Sequence, residues 1–122
     1  MINNKEKIIE YFKSGIKEDK DFRIGIEHEK FLFNTKDNKR IDYLKVKEMF
    51  TALTEFGWNP VFEKENIIGL NKGGKNITLE PGNQIELSGD KLNHMHEACA
   101  ESQDYLFELK QVTKKLDIKI VS

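Results

Sequence analysis

The chain has a single cysteine, Cys99, among its 122 residues. A lone thiol excludes an internal disulfide framework and makes a reducing cytoplasm the expected location. Proline is nearly as scarce, at positions 60 and 81 only. No linker, internal repeat or low-complexity segment divides the chain. No stretch approaches the roughly 20 apolar residues of a membrane helix. The opening MINNKEKIIEYF lacks the long apolar core of a secretory signal. An excess of charge is missing too: 20 basic and 21 acidic side chains leave a net charge of −1. That balance removes the electrostatic case for nucleic acid or an anionic membrane as a partner. The length fits one small domain or a piece of a larger one.

What is present reads as alternating helices and strands. Ile8, Ile9, Phe12 and Ile16 recur at helical spacing and predict an amphipathic helix over about 4–17. FRIGIEHEKFLF, 22–33, is rich in β-branched and aromatic residues and reads as a strand. Val46, Met49, Phe50, Leu53 and Phe56 mark one face of a second helix, about 43–56, stopped by Gly57. Four short strands follow, at 60–64, 66–71, 76–80 and 84–88, with KGGK and PGN as turns. A third helix spans about 94–116, with Met95, Ala98, Cys99, Ser102, Leu106, Leu109, Val112 and Leu116 as its expected buried stripe. DIKIVS reads as a last strand. This order predicts an α+β fold, a largely antiparallel sheet with helices on one face.

Strand alternation then sorts the side chains. Arg23, Glu27 and Glu29 share one face of 22–33. Glu80 lies on the polar face of 76–80, and Gln84 and Glu86 on that of 84–88. Like charges side by side on a sheet repel. A solvated face tolerates them; a bound cation would explain them. Carboxylate ligands suit hard ions such as Mg²⁺ or Mn²⁺, and Mg²⁺ held this way commonly meets nucleotide phosphates. A glycosidase pair is the other carboxylate chemistry, but the face shows few of the stacking aromatics a sugar cleft needs. His28 falls on the apolar side as a buried, hydrogen-bonded histidine. His94 and His96 are two apart on a helix and do not share a face. KGGK lacks the spacing of a P-loop.

The strings themselves add a resemblance. RIGIEHEKFLF (23–33) resembles the opening strand of the plant and proteobacterial type of glutamate–cysteine ligase. IIGL (67–70) and NITLEPGNQIELSG (76–89) resemble two further blocks in the same order, and HMHEACAE (94–101) the start of the next helix. The resemblance runs from about Arg23 to Val121. It implies a glutamine-synthetase-like catalytic fold and ATP-dependent joining of glutamate to cysteine, the first step of glutathione synthesis. It implies that Glu27, Glu29, Glu80 and Glu86 hold Mg²⁺ or Mn²⁺ around the ATP phosphates, with Gln84 and Arg23 turned to substrate and no covalent nucleophile among them. The expected partners are glutamate, cysteine and ATP. The chain departs from the pattern at Asn83, where the family usually has a second glycine; Asn tolerates the left-handed backbone such a turn needs. It is also shorter. Residues 1–122 are therefore expected to be the N-terminal portion of one catalytic domain, truncated and inactive alone. Two rivals stand beside this: a ligase of the same superfamily with another amine acceptor, and a non-catalytic metal-binding or interaction module.

Overall fold

A computed structural model describes residues 4–122. Helix α1 (Lys5–Ser14) starts where the Asn4 side chain accepts the Glu6 amide. None of its residues is buried, so its apolar stripe gives it a helical period without a packing partner among the described residues. β1 (Glu27–Asn34) precedes α2 (Tyr43–Leu53). The Asp42 carboxylate caps α2 by accepting the Lys45 amide at 2.9 Å. A single 3₁₀ turn (Thr54–Phe56) and Gly57 at φ +85° end it, a left-handed stop that glycine adopts without steric cost.

β2 (Asn59–Glu63), β3 (Asn66–Lys72), β4 (Lys75–Glu80) and β5 (Gln84–Ser88) form a meander. Its turns use Lys64, Gly73, Gly82 and Asn83, all at positive φ. Asn83 takes φ +58° and its amide donates to the Ile41 carbonyl, so this asparagine both makes the turn and ties it to the segment before α2. α3 (Met95–Lys115) and β6 (Ile118–Val121) complete the chain.

The sheet order is β2-β3-β4-β5-β1-β6, antiparallel at every pairing. β1 is thus inserted between β5 and β6, which arrive much later in sequence. Helices α2 and α3 cover one face. Their Val46, Met49, Phe50, Leu53, Tyr105, Leu109 and Val112 bury against Leu32, Leu70, Ile77, Ile85 and Leu87 of the sheet. Trp58 joins this core, its indole N–H donating to Glu108, which also pairs with Lys72. The opposite sheet face has no helix on it from α2 or α3.

Two expected features shift. The first strand begins at Glu27 rather than at residue 22; before it only Ile24 bridges, to Leu92. On α3 the buried stripe is Ala98, Glu101, Tyr105, Leu109, Val112 and Thr113, while Met95 and Cys99 are exposed. Cys99 is therefore a surface thiol and not a core residue.

Candidate functional site

Residues paired across an antiparallel ladder point to the same side of the sheet. On β1 and β5, Glu29 stands opposite Glu86 and Glu27 opposite Ser88. On β4 and β5, Thr78 stands opposite Glu86 and Glu80 opposite Gln84. Their strand neighbours Lys30, Leu32, Ile77, Ile85 and Leu87 are buried under the helices. Glu27, Glu29, Glu80, Gln84 and Glu86 therefore share the open face. Direct cross-strand partners such as Glu29 and Glu86 have Cβ atoms about 4.5–5.5 Å apart, and diagonal neighbours such as Glu80 and Glu86 about 7–8 Å. Among the described residues none of the four glutamates takes part in an ion pair. The Ser88 hydroxyl donates to Glu86 at 3.3 Å.

The four carboxylates share a face but do not converge. Among the described residues no three His, Cys, Asp or Glu side chains come together closely enough to hold a metal ion. The donor set nevertheless fits a hard cation in its usual mode. Mg²⁺ keeps several waters and takes one or two protein carboxylates together with phosphate oxygens. Glu29 and Glu86, cross-strand partners with no ion pair among the described residues, are the two carboxylates that would fit this mode.

Arg23 lies outside the strand expected to carry it. It precedes β1, and its guanidinium donates to the Lys20 and Phe22 carbonyls at 2.9 and 2.7 Å. Among the described residues it pairs with no glutamate. His28 is hydrogen-bonded as expected but half-buried: it points to the helix side, with Nε2 3.0 Å from the Ser102 hydroxyl. That hydroxyl gives its proton to the Ala98 carbonyl, so the serine is a structural link.

Two residues near the face escaped sequence reasoning. Arg40 pairs with Phe33 beside β1 and lies over the Phe31 ring, 5.7 Å from its centre, and against Gly82. Phe31 and Phe33 alternate onto the glutamate face, so Arg40 places a cation at its rim. Glu101 is 8% exposed behind the sheet, where both oxygens accept the Asp90 amide at 3.2 Å. A buried carboxylate facing a glycine was the signal available, in the pair Gly89 and Glu101, but it needs the fold to be seen.

The model of glutamate-cysteine ligase family 2 (GCS2) matches residues 23–122. The chain belongs to this family. Similar curated members are glutamate–cysteine ligase A, chloroplastic, of Oryza sativa subsp. japonica, 40% identical over 115 residues, and glutamate–cysteine ligase, chloroplastic, of Medicago truncatula, 41% identical over 115 residues. The Arabidopsis thaliana member is 40% identical over the same length. Each match covers 93% of this chain but only 22–23% of the relative. The chain thus spans about a quarter of the length of these GCS2 relatives. The match to the family model begins at Arg23, so α1 lies outside that match.

The cytoplasmic location expected from the sequence is overturned. The relatives are named chloroplastic enzymes, so the family gives no support to a cytoplasmic location. The physical reason is plain: a lone cysteine reports the absence of disulfides, and that does not tell one compartment from another.

Proposed function

We propose that this chain forms the carboxylate-bearing wall of a glutamate–cysteine ligase. The overall reaction joins the glutamate γ-carboxylate to the cysteine amine at the expense of ATP. In the proposed sequence the γ-carboxylate attacks the γ-phosphorus of ATP and ADP leaves. The cysteine nitrogen then attacks the acyl carbon of γ-glutamyl phosphate, inorganic phosphate departs, and a proton is lost from nitrogen. The observation that carries this reading is the facing pair Glu29 and Glu86 on an open sheet face, in a chain of the GCS2 family.

Glu29 and Glu86 would hold a divalent cation, Mg²⁺ or Mn²⁺, and Glu27 and Glu80 would flank it and hold its waters. When bound, such an ion screens the phosphate charges and orients the group being transferred. The protein's own part is orientation. Ser88 fixes one oxygen of Glu86 through its hydroxyl. Gln84, opposite Glu80, offers an amide to a substrate oxygen or a metal-bound water. No side chain here is proposed as a nucleophile. The sheet is read as part of a glutamine-synthetase-like catalytic domain of which residues 1–122 are the N-terminal portion, and turnover by these residues alone is not expected.

ADP release that depends on both glutamate and cysteine tests the reaction. In the enzyme containing this segment, Glu29→Gln should raise the Mg²⁺ needed for half-maximal rate and lower kcat, because transition-state charge goes uncompensated. Amines other than cysteine supporting equal release would refute the acceptor assignment. Turnover by the 122-residue chain alone would refute the larger-domain reading.

A further inference from the structure

The β1–β5 ladder is regular as far as the pair Glu27 and Ser88. The Gly89 amide then donates to the Ile26 carbonyl at 2.7 Å, and Ile24 and Leu92 exchange both of their backbone bonds at 2.8 Å. Between these two contacts lie Asp90 and Lys91 on one strand and Gly25 alone on the other. Two residues against one is the count of a β-bulge, which leaves one amide without a ladder partner and bends the strand. The Lys91 amide donates to the Asp90 carboxylate at 2.7 Å, which leaves the Asp90 amide to be met from elsewhere. An amide left unmet away from water is costly, and this half-buried one is met from behind by Glu101 of α3, which aims both carboxylate oxygens at it.

The fit is built into the sequence at two points. A Cβ on Gly89 would overlap the Glu101 carboxylate and crowd Ile26, so only glycine leaves room for the acid. A Cβ on Gly74, in the β3–β4 turn, would overlap the Asp90 carboxylate. The bulge is thus held between α3 and a neighbouring hairpin, two steps beyond the Glu27–Ser88 pair and four beyond Glu29–Glu86.

We propose that Glu101 is a positioning residue: by holding the Asp90 amide it fixes the bulge that sets how Glu27, Ser88 and Glu86 face one another across β1 and β5. This rests on the reading of that face as a cation site. Bulges beside functional sites re-aim side chains, and groups behind the ligands of a metal typically change its affinity about 10–100-fold when removed. Glu101 touches neither metal nor substrate. It acts through reach, because its carboxylate must span from the helix to the bulge, and not through its charge.

The test separates reach from charge. Glu101→Gln keeps the length and one acceptor oxygen; Glu101→Asp keeps the charge but falls one methylene short. Mn²⁺ binding is titrated by electron paramagnetic resonance, Asp90 amide exchange is followed by NMR, and melting is recorded without metal. Glu101→Gln should leave Mn²⁺ affinity within about twofold of the parent and the Asp90 amide protected. Glu101→Asp should weaken Mn²⁺ about tenfold and expose that amide. Gly89→Ala, which displaces the acid from the other side, should reproduce Glu101→Asp, and the two together should be no worse than either, as expected for one shared contact. A lower melting temperature with unchanged Mn²⁺ affinity in Glu101→Asp would overturn the positioning role and leave the cation site standing. The reverse order, with Gln impaired and Asp intact, would overturn it in favour of charge. Absence of Mn²⁺ binding in the parent protein would overturn the cation site itself, and the positioning role with it.

Discussion

Glu29 and Glu86 face each other and neither has an ion-pair partner among the described residues, so replacing Glu86 by Gln should stabilise the metal-free protein. Two unit charges about 5.5 Å apart repel by about 1 kcal/mol at an effective dielectric near 60. Cross-strand pairs of either sign lie in the range of roughly 0.2–1 kcal/mol. Glu29 is exposed and Glu86 half-buried, so water screens much of the effect and a gain of about 0.5 kcal/mol is expected. At about 2.1 cal/mol/K of unfolding entropy per residue, that gain raises Tm by about 2 °C. Salt should erase it, since the Debye length falls to about 3 Å at 1 M. With saturating Mg²⁺ the order should invert, because the parent gains ligand stabilisation that the variant largely loses. Scanning calorimetry of both proteins at low salt, at high salt and with Mg²⁺ gives all three comparisons. A Tm for Glu86→Gln below that of the parent in metal-free, low-salt buffer would show that Glu86 has a stabilising partner and would refute the argument.

Tyr105 is buried and its hydroxyl has no hydrogen-bond partner among the described residues, so Tyr105→Phe should raise stability by about 1 kcal/mol in denaturant titration; a loss would mean that the hydroxyl is satisfied. Burial also pushes the Tyr105 phenol up from its ordinary value of 10. Its raised folded pKa stabilises the fold fully below pH 10, and that stability is lost as the unfolded phenol ionises at higher pH. The parent should weaken above pH 10 more steeply than Tyr105→Phe, by up to about 1.4 kcal/mol per pH unit, and parallel pH profiles would contradict this. Gly69 lies at the bulge of β3, where a Cβ would stand 2.8 Å from the Ile77 carbonyl oxygen. Gly69→Ala should cost about 1–3 kcal/mol, and an unchanged unfolding midpoint would show that the strands can part.

Much of the open face was legible because β4 and β5 announce themselves. NITLE and QIELS alternate cleanly around a PGN turn, and alternation alone sorts Glu80 and Glu86 from Ile77 and Ile85. β1 was legible in type but not in extent. FRIGI has strand composition, yet whether it pairs depends on the bulge at Asp90 and Lys91, far away in sequence. Its place between β5 and β6 is likewise a long-range fact that no local pattern encodes. The stripe of α3 was misread by chemistry: Met95 and Cys99 look apolar and are exposed, whereas Glu101 and Tyr105 carry polar atoms and are buried. α1 shows the limit of periodicity, which signals a helix without naming what covers it. Strand alternation put Arg23 with the glutamates, but the strand begins only at Glu27 and the Arg23 guanidinium donates to carbonyls beside it.

The most direct test of the face is to locate a bound cation. Mn²⁺ broadens the NMR signals of nearby amides, and the sheet separates its two sides by roughly 10 Å. Titrating Mn²⁺ into the isotopically labelled protein should broaden the amides around Glu29 and Glu86 first, those of Glu27 and Glu80 next, and those of α2 and α3 last. The double variant Glu29→Gln with Glu86→Gln should abolish that order. Broadening centred elsewhere, for example at His94, His96 and Glu97, or a pattern unchanged in the double variant, would contradict a cation site on the open face of β1 and β5.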